Sequence, residues 1–245
     1  MKLEVPKLST RNIALIIVFS SLYMVFSSWN LFPLVGGQGG FIKAGVVMAP
    51  LLGIILGSWL SILAITVGGI IGAFLMPLGP FGIISFFPHL ASALCAGLLH
   101  EKKRGFCGIA YSFALVVFAF FPVVGPAWLW PSFLWLHICA LVFYFAPLQW
   151  KVRSVLRDYS YKFALAFELG AMFFFASLFG HVVGSLMYEL VYWPILIPEV
   201  SVWRANWELL TWLYPIERVI IAVTATLIGV ALIKALRALG FNIND

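Results

Sequence analysis

A chain of 245 residues that is 63% hydrophobic, 10% charged and has a mean hydropathy of +1.07 carries more apolar surface than a water-soluble core can hide; soluble domains hold about 25% charged residues. The composition excludes a soluble globular protein and points to an all-α, polytopic transmembrane helical bundle. Strands of a membrane barrel would alternate polar and apolar residues, and these runs do not. The net charge of +6 is then a marker of orientation, not of nucleic-acid binding, because Lys and Arg collect on the cytoplasmic side of membrane proteins.

The first apolar run, 12–28, follows Lys2, Lys7 and Arg11. It has the basic start of a signal peptide but is long and lacks a clean small-residue cleavage site, so it reads as an uncleaved span. Residues 29–43 form a loop dense in glycine, with Trp29, Phe32 and Phe41 as apolar anchors, the make-up of a movable lid. Residues 44–76 contain no ionisable side chain. One straight helix of that length would run about 50 Å, more than a tilted span needs. A break at Gly57-Ser58 gives two spans, 44–57 and 59–76. Further spans are expected at 83–99, 106–121, 127–148 (bent at Pro131), 163–192 and 216–239. Ahead of the last, Trp203, Trp207 and Trp212 are expected at the lipid–water boundary.

Charge sidedness favours the doubled-back stretch. Eight spans leave only Lys43, Arg204 and Arg218 outside and the other twelve Lys and Arg residues inside; a single crossing would leave five inside and ten outside. The positive-inside rule selects eight spans with both termini cytoplasmic, in one transmembrane domain covering 1–245.

Gly53-x-x-x-Gly57 and Gly68-x-x-x-Gly72 offer small-residue faces on which helices pack closely. They serve either the bundle itself or the docking of a partner. Ionisable residues within spans need a reason. His181, Tyr188 and Glu189 fall in the outer half of the seventh span, and Glu217 and Arg218 begin the eighth at the same depth. With Trp29, Asn30 and Gln38 of the lid, they form the expected substrate-binding set around an outward-facing cavity. The plainer alternative is that Arg218 pairs with Glu217 or Glu189 to fix helix ends. Glu189 and its aromatic neighbours would suit a cationic heterocycle.

His89 and His137 read as isolated, hydrogen-bonded packing residues. Cys95, Cys107 and Cys139 lack CxxC spacing and read as packing residues, with no disulfide or metal role. No H-E-x-x-H, G-x-S-x-G or Walker sequence occurs. No catalytic residue, metal or cofactor is therefore expected, and energised transport would need a separate motor.

Three stretches carry a family resemblance: Arg11-Asn12-Ile13-Ala14-Leu15-Ile16 leading to Leu22-Tyr23; Ala49-Pro50-Leu51-Leu52-Gly53 through Gly57-Ser58-Trp59 to Gly68-Gly69-Ile70-Ile71-Gly72; and Tyr214-Pro215-Ile216-Glu217-Arg218 with the closing Ala231 to Arg237. Together they resemble the substrate-binding S components of energy-coupling factor transporters. The resemblance implies a plasma-membrane, multi-pass protein that captures a vitamin-like solute under the loop after the first helix. It also implies partners: a membrane coupling subunit and two ATPase subunits. Two departures stand out. The family has six spans, so 106–148 reads as an inserted pair. Its docking motif Ala-x-x-x-Ala on the first helix is here Ala14 followed by Val18, with Ser21 a turn further. Two competing expectations are a non-transporting membrane scaffold whose glycine faces bind other helices, and an intramembrane enzyme in which His181 converges with another polar group.

Overall fold

In lipid no water satisfies a bare backbone N–H or C=O, so a chain that reverses inside the membrane must cap its own helix ends. A computed structural model describes residues 9–35, 40–75, 81–146 and 161–238. The elements are α1 (Thr10–Phe26), β1 (Asn30–Pro33), β2 (Phe41–Lys43), α2 (Gly45–Leu75), α3 (Phe87–His100), α4 (Arg104–Ala119), the short α5 (Pro126–Leu129), a 3-10 turn (Pro131–Leu134), α6 (Trp135–Phe145), α7 (Tyr161–Tyr192) and α8 (Val200–Ala238). The fold is all-α apart from the antiparallel hairpin β1–β2.

Gly57 breaks α2 with φ 76° and ψ 176°, a conformation essentially confined to glycine. Before it, Gly45 meets His89, Gly53 meets Ala93 and Ala96, and Gly57 meets Glu101, so residues 45–56 run parallel to α3. After it, Ser58 abuts Gly97 and Gly69 abuts Phe86, so residues 58–75 run antiparallel to α3. The glycine-rich stretch doubles back where the sequence places the break.

Other contacts fix the remaining directions. Gly68 lies on the Ser20 carbonyl and Gly72 near Met24, which sets α1 beside the second limb of α2. The Tyr144 hydroxyl donates to the Arg104 carbonyl (2.6 Å), closing the antiparallel pair α4–α6 at its base. Gly180 of α7 rests on Pro88, and Gly229 of α8 packs against Leu51 and Phe173. Among the described residues, eight helical runs thus alternate in direction. Three helices, Gly45–Leu75, Phe163–Tyr192 and Val200–Ala235, are long and apolar enough to cross a membrane.

Several expectations are corrected. The glycines proposed for docking are largely occupied within the chain: a Cβ on Gly53 would strike the Ala93 carbonyl, and one on Gly68 would strike Ser20. Gly57 is the reversal itself. By contrast Ala14, Val18 and Ser21 on α1 are exposed. The stretch before the last span is the first four turns of the 39-residue α8, and of its tryptophans only Trp212 (73% exposed) faces outward. Trp203 and Trp207 are buried, because their indole N–H groups donate to the carbonyls of Ile197 (2.9 Å) and Val124 (2.8 Å), which removes the polar penalty of an interior site. The sixth expected span shortens to Trp135–Phe145, since Pro131 and an extended Trp130 (φ −155°, ψ 77°) break it. Cys95 and Cys107 face each other with Cα atoms 5.5 Å apart, as a disulfide pair; helix packing brings them together, which residue spacing alone does not show.

Glu101, between α3 and α4, caps the reversal. Its Oε1 accepts from the Ser58 backbone N–H and hydroxyl, each at 2.7 Å, while Lys103 Nζ donates to Oε2 at 2.6 Å. Partial burial pushes this carboxyl up, but hydrogen bonds from Lys103 and Ser58 together outweigh it and hold it below its ordinary value of 4.5. A depressed folded-state value stabilises above the ordinary one and loses that effect as pH falls through the folded one. The melting-temperature gap between wild type and Glu101→Gln is therefore expected to be full at pH 7 and to shrink below about pH 4.5. Separately, Gly57→Ala should destabilise the bundle by about 1–3 kcal/mol. Gly105→Ala, whose Cβ meets open space, should not, as thermal unfolding in detergent would show.

Candidate functional site

The chain leaves α1 into β1, and β2, paired antiparallel to it, leads to the start of α2, so the hairpin lies over the end of the bundle where α3 begins. Register pairs Asn30 with Lys43 and Pro33 with Phe41. Lys43 Nζ donates to Asn30 Oδ1 (2.6 Å), which ties the hairpin at its base. Beneath it lies a cavity with about 130 Å³ open to the centres of water molecules. Hairpin residues 33–35 and 41–43 roof it; Ser85, Pro88 and His89 form one wall. Gly180, His181, Gly184, Ser185 and Tyr188 supply another, a spacing that keeps them on one face of α7. From α8 come Trp207, Leu210, Glu217 and Arg218. A smaller cavity of about 80 Å³, toward α1, shares Lys43, Ser85 and His89 with it.

Four expected site residues therefore converge on the cavity: His181, Tyr188, Glu217 and Arg218. Three do not. Trp29 is 56% exposed and packs on Phe26, and Asn30 is spent on Lys43. Glu189 is fully buried away from the lining, and neither of its carboxylate oxygens has a partner among the described residues. Eight residues advance a helix by about 80° beyond two full turns, enough to carry Glu189 off the face that holds His181. The cationic-heterocycle expectation rested on Glu189 and loses its support. Gln38 lies outside the described residues.

Arg218 and Glu217 are both interior, 3% and 5% exposed, and pair through Nη2 and Oε2 at 3.2 Å. The helix-fixing pair and the cavity wall are thus one feature. Consecutive helix residues do not face each other, so the pair meets by a single contact, and Arg218 Nε keeps no partner among the described residues.

Behind the wall, each imidazole is held. Tyr23 OH lies 2.5 Å from His89 Nδ1. Tyr111 OH lies 2.7 Å from His137 Nδ1, and His137 Nε2 lies 3.4 Å from His181 Nδ1. His137 is no isolated packing residue: it stacks on His181 and Tyr214, with Phe133 over all three. Phenol is the stronger acid and imidazole the stronger base, so both tyrosines donate. His89 and His181 then carry their hydrogens on Nε2. His181 so meets the condition set for an intramembrane enzyme, convergence with polar groups, yet the lining's one carboxylate is tied to Arg218. Lys43, His89 and Trp207 were missed as lining because nothing in their spacing marks them. Among the described residues no cluster of His, Cys, Asp and Glu is fit to hold a metal.

No family model, curated protein or solved structure matches the chain.

Two substitutions separate the supported polar groups from the stranded one. Tyr111→Phe should lower stability by about 1–2 kcal/mol, the effect of leaving a buried imidazole nitrogen unpaired. Glu189→Leu, which removes a partnerless buried carboxyl, should leave stability unchanged or raise it, with thermal unfolding as the readout for both.

Proposed function

We propose that this protein is a membrane-embedded solute-binding subunit that captures a small, water-soluble, vitamin-like organic molecule from outside the cell and carries it across the plasma membrane. In this reading eight runs span the bilayer, a six-span core like that of the energy-coupling factor S components plus the α4–α6 pair, with both termini cytoplasmic. Separate ATPase subunits acting through a membrane coupling subunit supply the energy, consistent with a chain that lacks a Walker sequence. The exposed face of Ala14, Val18 and Ser21 on α1 is available to such a partner.

The observation that carries the reading is the cavity roofed by the hairpin and walled by buried Glu217 and Arg218. Buried charge within a span is costly and marks a pathway or a binding site by default, and concave, largely apolar pockets with a few convergent polar groups are where small molecules bind. The scaffold alternative is weakened because its glycine faces are filled by the chain's own helices.

Native mass spectrometry of the full chain extracted from membranes tests the proposal. A bound small molecule is expected in the wild type and is expected to be lost when residues 31–42 are replaced by a short glycine linker. An empty protein in every preparation, together with stable co-purification of a membrane partner unconnected to any ATPase, would overturn it in favour of the scaffold.

A further inference from the structure

Most of the polar groups that face the cavity are donors. Arg218 offers a guanidinium whose Nε–H is unpartnered among the described residues and 97% shielded with the rest of the side chain. Lys43 offers an ammonium beyond its bond to Asn30. His89 and His181, with Nδ1 facing Tyr23 and His137, keep Nε2–H. Tyr188 already accepts from Asn206 Nδ2 (3.1 Å), which leaves its hydroxyl hydrogen to give. Acceptors are fewer and partly engaged: Glu217 Oε2 takes Arg218, and the Ser85 hydroxyl takes the Phe81 N–H while it donates to Gly82. Formal charge points the same way. Lys43 and Arg218 against Glu217 leave one net positive charge on the described lining, carried by the half-exposed Lys43 on the hairpin. The rest of the wall is apolar, including Val46, Phe81, Pro88, Trp207 and Leu210.

We propose that the solute held in this cavity is an organic monocarboxylate with a compact apolar or aromatic body, its carboxylate seated on Arg218 and Lys43. The inference rests on the capture reading above and names the chemical class of what is captured. The guanidinium fork matches a carboxylate in shape as well as charge, and its weak single contact with Glu217 leaves it able to make that match. Lys43 sits on the roof, so the same carboxylate links hairpin to wall and draws the lid onto the occupied site.

Isothermal titration of the full-length protein in lipid nanodiscs with benzoate, benzamide and benzylamine at neutral pH tests the charge requirement on one ring. Benzoate is expected to bind at least about tenfold tighter than benzamide, the worth of a charge-assisted hydrogen bond, with benzylamine weakest. Lys43→Gln, at a half-buried position on the hairpin, should weaken benzoate about three- to tenfold. The double substitution Glu217→Gln with Arg218→Gln strands no charge and should narrow the benzoate advantage over benzamide to the share that Lys43 supplies. Benzamide or benzylamine matching benzoate in the wild type would overturn the carboxylate assignment and leave the capture reading standing. So would a benzoate preference that neither variant reduces. Absence of binding by all three up to about 10 mM also overturns it, while the bound molecule sought by mass spectrometry judges capture independently.

Discussion

Glu101 takes hold of the Ser58 backbone N–H, where the reversal of α2 opens its second limb. A helix start presents N–H donors that its own turns cannot meet, and Ser58 is the first residue of the second limb of α2. The carboxylate answers both its backbone and its hydroxyl, and Lys103 balances the charge. With that turn closed, the two limbs of α2 flank α3 in opposite directions. They also return the chain to the end where α1 finishes, which is why hairpin, His89 and the two cavities share one end of the bundle.

The wall of the larger cavity is built in two layers. Several residues that face the space are held by partners: His89 by Tyr23, His181 by His137 and through it Tyr111, Tyr188 by Asn206, and Arg218 by its neighbour in the wall, Glu217. Side chains locked in this way lose little freedom when something binds. The second layer draws on α4, the 3-10 turn and α6, through Tyr111, Phe133 and His137, so the segment that reads as an insertion is part of the site's support.

Much of the architecture was legible because lipid imposes simple rules. A 33-residue uncharged run had to break or overshoot, Gly57-Ser58 was the obvious break, and the charge count chose the same answer. The convergence of His181, Tyr188, Glu217 and Arg218 followed from their shared depth. What escaped was angular. Depth places Glu189 beside His181, but helical rotation carries it to another face. Tryptophans near a span end suit an aromatic belt and a satisfied interior equally well, and only the carbonyls of Ile197 and Val124 decide for Trp203 and Trp207. Likewise no spacing rule brings Cys95 to Cys107 or Lys43 to the cavity, because each depends on how separate helices meet.

The helices differ greatly in length. α6 has 11 residues and α7 has 32, rises of about 16 and 48 Å at 1.5 Å per residue, against a hydrocarbon layer of about 30 Å. α6 alone is shorter than that layer and α7 is longer. With eight runs crossing, as proposed, the bilayer would thin beside α6 while α7 leans, so the protein would sit in an elastic medium that pulls unevenly on its two sides. Acyl-chain length thereby becomes a mechanical variable acting on the molecule's posture.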